Sequence, residues 1–318
     1  MNITCSKPLL WTQAIIDNTK PQLYIYIIAS LMHLILWLQI SFSPRLRQKK
    51  FLWIYAYLST DIFLLSRFLF SYIIHTTSTE CQPSRAWVLF NCYFEATLDN
   101  YFNITEIYIL LGLNICRYVQ IAYNRNVYQV HMKLLIFIQF CIYLIPLVVC
   151  IVEFLVGWTQ IKDPIRDSCE VFYTNIYVQI FNTIFAYALP MFLNMLLIYA
   201  SIHHVHLTSV LQSTQHHVSA REKYHRSLVI QFFCFYFIWG ILLSPYVIIF
   251  QVSFRQQNVI NVVTLLSLVE IACDPIIVAA LDIRFWRQWR KLGVHLKNTI
   301  FIDRRNRRRI QPSIVNLN

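Results

Sequence analysis

Residues 92–118 read CYFEATLDNYFNITEIYILLGLNICRY, and the spacing of their ends decides the fold. Cys92 and Arg117 lie 25 residues apart in one long apolar segment. Twenty-five residues of α-helix rise about 37 Å, roughly a bilayer plus its inner interface. One helix therefore carries a cysteine at its outer end and Cys116-Arg117-Tyr118 at its inner end. Cys169 follows two segments later, in a polar loop.

Composition sets the class of the rest. The chain is 57% hydrophobic and 13% charged, against about 25% charged in an ordinary soluble domain. Seven apolar runs are long enough to span lipid: 22–43, 51–75, 87–121, 134–158, 176–202, 228–252 and 259–281. They read as helices, because a lipid-facing segment must satisfy its own backbone groups. The expected fold is an all-α membrane protein, a bundle of seven transmembrane helices over 22–282. Residues 1–21 form an extracellular N-terminus, 283–297 an amphipathic eighth helix and 298–318 a basic cytoplasmic tail.

Loop charge orients the bundle. With the N-terminus outside, twenty Lys and Arg fall on the inner side and six on the outer side, with Arg67 inside the second span. The C-terminus is then inside. Residues 1–21 show no basic stretch followed by an apolar core, so the first span is expected to act as the signal anchor. The net charge of +12 sits in inner loops and the tail. It suits an anionic cytoplasmic leaflet rather than nucleic acid. In 283–297, Phe285, Trp286, Trp289 and Leu292 alternate with Arg284, Arg287, Arg290 and Lys291, as in a helix lying at the interface.

Ionisable residues inside a membrane are costly and point to function. Counted at 1.5 Å per residue from the inner end of each span, Asp61, Glu106, Glu270 and Asp274 lie about 12–18 Å up. Four carboxylates from three spans share one layer. They cannot all be ionised there without help, so the layer is expected to hold protons or a cation. Higher up, Glu95 and Asp99 stand one turn apart on the third span, with Asp99 about 27 Å above Arg117. Asp99 lies on the same helical face as Cys92 and Arg117. A carboxylate facing a poorly solvated pocket seeks a cation. That partner is either a ligand ammonium or Arg67 of the second span. Tyr246 and other aromatic residues near this depth would add cation–π contacts.

The nine cysteines split by side. Cys116, Cys141, Cys150, Cys234 and Cys273 lie in spans, where packing is their expected role. Cys5, Cys81, Cys92 and Cys169 are outside, and four cysteines allow three pairings. His203, His204 and His206 lie at the inner end of a span with no paired Cys or acid at ligand spacing, and read as interfacial polar residues rather than a metal site. No nucleophile with its base and no metal-ligand cluster marks an enzyme.

Taken together, these marks resemble the rhodopsin-like G-protein-coupled receptors. Asp61, in Leu58-Ser59-Thr60-Asp61, is similar to that family's second-helix aspartate. Cys92 and Arg117 have the family spacing. Pro190 and Pro245 fall in the fifth and sixth spans, and Asp274-Pro275-Ile276-Ile277-Val278 resembles the seventh-helix motif. The chain departs from the pattern at Cys116, where the family usually has an acid, and at Val278, where it has tyrosine. Trp239 lies six residues before Pro245 rather than two. The resemblance implies a Cys92–Cys169 bridge, which pairs Cys5 with Cys81 or leaves both free. It implies a sodium ion near Asp61, a ligand ammonium at Asp99, and G-protein contact through Arg117 and Tyr118.

The function expected from the resemblance is a plasma-membrane receptor that passes an extracellular signal, from an amine or a basic peptide, to a heterotrimeric G protein. The alternative is an ion- or proton-coupled transporter using the acidic layer. Transporters usually show paired, broken spans in two related halves. This chain has four glycines and no visible repeat.

Overall fold

A computed structural model of the protein describes residues 13–44, 46–77, 85–123, 127–162, 170–212, 236–252 and 257–281, with isolated positions at 230, 233–234, 290 and 294. The described chain is almost entirely helical. Its long elements are α1 (Gln13–Phe42), α2 (Leu52–Thr77), α3 (Arg85–Tyr123) and α5 (Met132–Val156), with the one-turn α4 (Val127–Val130) between the last two. The fifth segment is α6 (Ile176–Thr183), a π turn (Ile184–Ala188) and α7 (Leu189–Gln212). The described chain closes with α8 (Ser244–Val252) and α9 (Gln257–Leu281).

Among the described residues, six helical stretches are long and apolar enough to cross a membrane: Thr19–Phe42, Leu52–Ile74, Cys92–Tyr123, Met132–Val156, Ile176–Leu207 and Val259–Ala279. By length and composition this is a helical, multi-pass membrane protein. The sixth expected span, 228–252, is described from 236, where 236–242 are helical and lead into α8. Most of the amphipathic segment 283–297, and all of the tail 298–318, lie outside the described residues.

The first difference from expectation is at the N-terminus, where α1 begins at Gln13 rather than at 22 and carries Pro21 inside it. A second is the outer loop after α5, which is not purely irregular. Strands β1 (Thr159–Lys162) and β2 (Glu170–Tyr173) pair antiparallel, with Thr159 opposite Tyr173 and Lys162 opposite Glu170. Gly157 makes this turn possible. Its φ of 75° is a left-handed conformation that suits glycine. The Trp158 N–H then reaches the Glu153 carbonyl at 2.9 Å and the Gly157 N–H the Phe154 carbonyl at 3.1 Å, which satisfies the end of α5.

α3 is the central post. It packs on α2, α5 and α7, while α1 packs on α9 and α2. Of its most apolar window 67% is buried, against 17% for α5. In α5, Leu134, Phe137, Phe140, Ile145 and Leu155 face outward, as lipid-facing residues do. The inner core gathers Trp53, Tyr57, Ile107, Leu110, Trp239 and Leu243. α2 and α3 approach closely there. A Cβ on Gly112 would lie 2.6 Å from the Trp53 ring, so glycine at 112 lets the indole lie against the helix.

The fifth segment widens just before Pro190. Proline has no N–H to donate and its ring crowds the preceding turn. The Phe185 carbonyl, in the π turn, instead accepts from the Tyr108 hydroxyl of α3 at 2.8 Å. Asn103 is buried in α3 and donates to the Asp99 carbonyl at 2.7 Å, as its position inside a span requires.

Candidate functional site

Two polar clusters interrupt the apolar interior, one above the other along α3. The outer one joins three segments. Arg67 of α2 places Nη2 2.6 Å from Asp99 Oδ1 of α3, and Tyr246 of α8 donates its hydroxyl to Asp99 Oδ2. Arg67 Nη1 also reaches the Glu95 carbonyl, at 3.4 Å. The side chains of Arg67 and Asp99 are 14% and 9% exposed. Asp99 thus has the partner expected for a buried carboxylate, and it is Arg67. Glu95 contributes its backbone to this site, and its side chain is half-buried.

The inner cluster is the acidic layer. Asp61 of α2, Glu106 of α3 and Glu270 and Asp274 of α9 are at most 1% exposed. Oxygens of Asp61, Glu106 and Asp274 lie within 4.8 Å of one another. Glu270 and Asp274, one turn apart on α9, both meet the hydroxyl of Tyr57: Glu270 Oε1 and Asp274 Oδ2 are each 2.8 Å away. Tyrosine has one hydroxyl proton to give. For both contacts to be hydrogen bonds, one of the two acids must hold a proton and donate it. His33 of α1 borders the layer, with Nε2 3.1 Å from the Ile271 carbonyl and 3.8 Å from Asp61 Oδ2.

Hydrogen bonding in the layer is incomplete. Both oxygens of Asp61, both of Glu106 and Glu270 Oε2 are buried without a hydrogen-bond partner, and so is Trp239 Nε1. Unpaired buried oxygens of this kind repel one another and strongly favour a proton or cation among them. Oxygen-only donors suit a hard cation such as sodium. The three mutually close acids are the ones able to share it, while Glu270 turns to Tyr57.

At the inner end, Arg117 and Tyr118 are half-buried. Cys116 stands where the resemblance puts an acid, and its Sγ accepts the Trp53 indole N–H at 3.2 Å. A little higher, Asn114 Nδ2 donates to Asn194 Oδ1 at 2.5 Å, tying α3 to α7. His203 and His206 are exposed and belong to no metal-like group among the described residues.

Several residues of these clusters carried no mark in the sequence reading. Tyr57 and His33 have no charge to betray them inside an apolar run. Glu153 was open to the same depth argument as the other acids. It is buried near the outer end of α5 and accepts from Asn182 Nδ2 at 2.6 Å. Tyr173 of the hairpin packs beside it; burial raises the pKa of the Tyr173 hydroxyl, and the Glu153 charge acts in the same direction.

Cys92 is buried at the outer end of α3. Its expected partner Cys169, together with Cys5 and Cys81, lies outside the described residues. The five cysteines expected to pack in spans are all free thiols. No protein-family model matches the chain, and no curated protein matches it.

Proposed function

We propose that the chain is a seven-helix receptor of the plasma membrane, coupling an extracellular ligand to a heterotrimeric G protein. One observation carries the reading: α3 bears a polar cluster near its outer end, an acidic layer at its middle and Arg117 at its inner end, and it is the most enclosed of the six described membrane-length helices. A ligand at Asp99 would act on α2 and α8 through Arg67 and Tyr246. Their rearrangement would reach Arg117 as a shift between inner-closed and inner-open bundles. A Cys92–Cys169 bridge would hold the hairpin across the outer mouth, a reading supported by the disulfide state of Cys92. Sodium or protons in the acidic layer would bias the two states.

The test is nucleotide exchange on candidate G proteins by the purified chain in lipid. Arg117→Ala is expected to abolish exchange while ligand binding stays measurable, since Asp99 lies about 27 Å up the helix. Exchange at the wild-type rate in that variant would remove the receptor reading. The incomplete pairing of the layer supports a second reading, cation- or proton-coupled transport. Proton or sodium flux in proteoliposomes, abolished by Asp61→Asn, would favour it.

A further inference from the structure

We propose that the outer cluster binds a small zwitterion, an α-amino acid or a molecule with the same two charges, by exchanging partners with the Arg67–Asp99 ion pair. This deepens the receptor reading above and rests on it. Both Asp99 oxygens are already engaged, Oδ1 by Arg67 and Oδ2 by Tyr246. An ammonium that used a remaining lone pair of Asp99 would share one carboxylate with Arg67 and leave a second positive charge unbalanced in an enclosed site, unless it displaced Arg67. With an ammonium alone on Asp99, the Arg67 guanidinium would keep only the nearby Glu95 charge, and a carboxylate alone on Arg67 would leave Asp99 without its counter-charge. Leaving one member of a buried pair unmatched is strongly unfavourable. A ligand carrying both charges takes both places and strands neither.

A second, independent observation points to the carboxylate half. Arg67 uses its guanidinium poorly. Nη2 makes one short contact, Nη1 makes one long contact at 3.4 Å, and Nε is buried with no hydrogen-bond partner. The Nε–Nη2 edge of a guanidinium is a fork that matches the two oxygens of a carboxylate. Asp99 fills only one tine of it. An incoming carboxylate that bridged Nε and Nη2 would satisfy a donor that the resting pair leaves bare. The freed Asp99 would then receive the ligand ammonium, with the Tyr246 hydroxyl retained. The low exposure of the pair argues for a small ligand. Tyr26, buried near Arg67, is stacked on Phe68 with ring centroids 3.5 Å apart.

The experiment uses the full chain, purified in lipid nanodiscs, and reads thermal stabilisation without any G protein. The probes are the standard amino acids and, for the best of them, its decarboxylated amine and its deaminated acid. Expected is stabilisation by at least one amino acid, with both single-charge analogues weaker by about thirtyfold or more. Arg67→Gln is expected to invert the preference towards the amine, and Asp99→Asn towards the acid. If a single variant fails to fold, the double variant Arg67→Met with Asp99→Leu serves instead, and should bind the three probes alike. An amine that binds wild type as tightly as its amino acid overturns the proposal, and so does the failure of every amino acid to stabilise it. Nucleotide exchange is measured separately. Amino-acid binding without exchange would sink the receptor reading alone, and exchange driven by an amine alone would sink the zwitterion alone.

Discussion

The two clusters on α3 solve the same physical problem in opposite ways. In the outer cluster, charge is balanced within the protein: one guanidinium meets one carboxylate, and a tyrosine caps the second oxygen. In the acidic layer, four carboxyl groups meet, among the described residues, no positive side chain within salt-bridge reach apart from the neighbouring imidazole of His33. The first balances its charge without a bound ion. The second leaves oxygens without partners and relies on protons or a cation. Substitutions in the two clusters should therefore differ in sign as well as in size.

The largest effect is expected in the outer cluster. Asp99→Asn alone strands Arg67 and should destabilise the fold by about 3–5 kcal/mol. The double variant Arg67→Met with Asp99→Leu should recover most of that loss. Thermal or chemical unfolding of wild type, Arg67→Met, Asp99→Leu and the double variant gives the coupling directly. Additive losses would show that the two charges do not depend on each other.

Tyr57→Phe tests how far the layer depends on its single bridging hydroxyl. It leaves two acids without their shared hydrogen-bond partner and should cost about 1–3 kcal/mol, measured the same way. A neutral result would place Glu270 and Asp274 with each other rather than on tyrosine.

Glu106→Gln is expected to have the smallest effect and the opposite tendency. It removes one repelling charge from the layer, so stability should change by under about 1 kcal/mol or rise. Its signature is elsewhere: the dependence of stability on sodium concentration or on pH should flatten. A large loss of stability, with the ion dependence unchanged, would make Glu106 a structural acid.

Much of this contrast is legible in the sequence, because charge inside an apolar run is rare and helical rise converts position into depth. The layer follows from counting residues between each acid and the inner end of its span. The choice between Arg67 and a ligand as partner for Asp99 does not follow, because depth gives height in the bundle but not direction between neighbouring helices. Tyr57 was hidden among nineteen tyrosines, most of which need no special explanation in a membrane protein. The hairpin was hidden because TQIK and EVFY are too short for alternation to stand out from loop sequence. A proline inside a span, such as Pro190, is a general cause of helix irregularity, but it does not give the form the irregularity takes.

That form matters for phase. In an unbroken α-helix Asn182 and Asn194, twelve residues apart, would point about 120° away from each other. Yet both are buried, at 2% and 0% exposure, one meeting Glu153 and the other Asn114. The π turn at Ile184–Ala188 takes up one extra residue, which brings the two asparagines to within about 20° of a common direction. The widened turn acts as a phase corrector, letting one span answer α5 above and α3 below with the same edge. Tightening 184–188 into a regular ladder with every residue kept would swing everything beyond it by about 100°. Asn194 would then face away from Asn114, and the lower half of the span would turn its seam towards lipid.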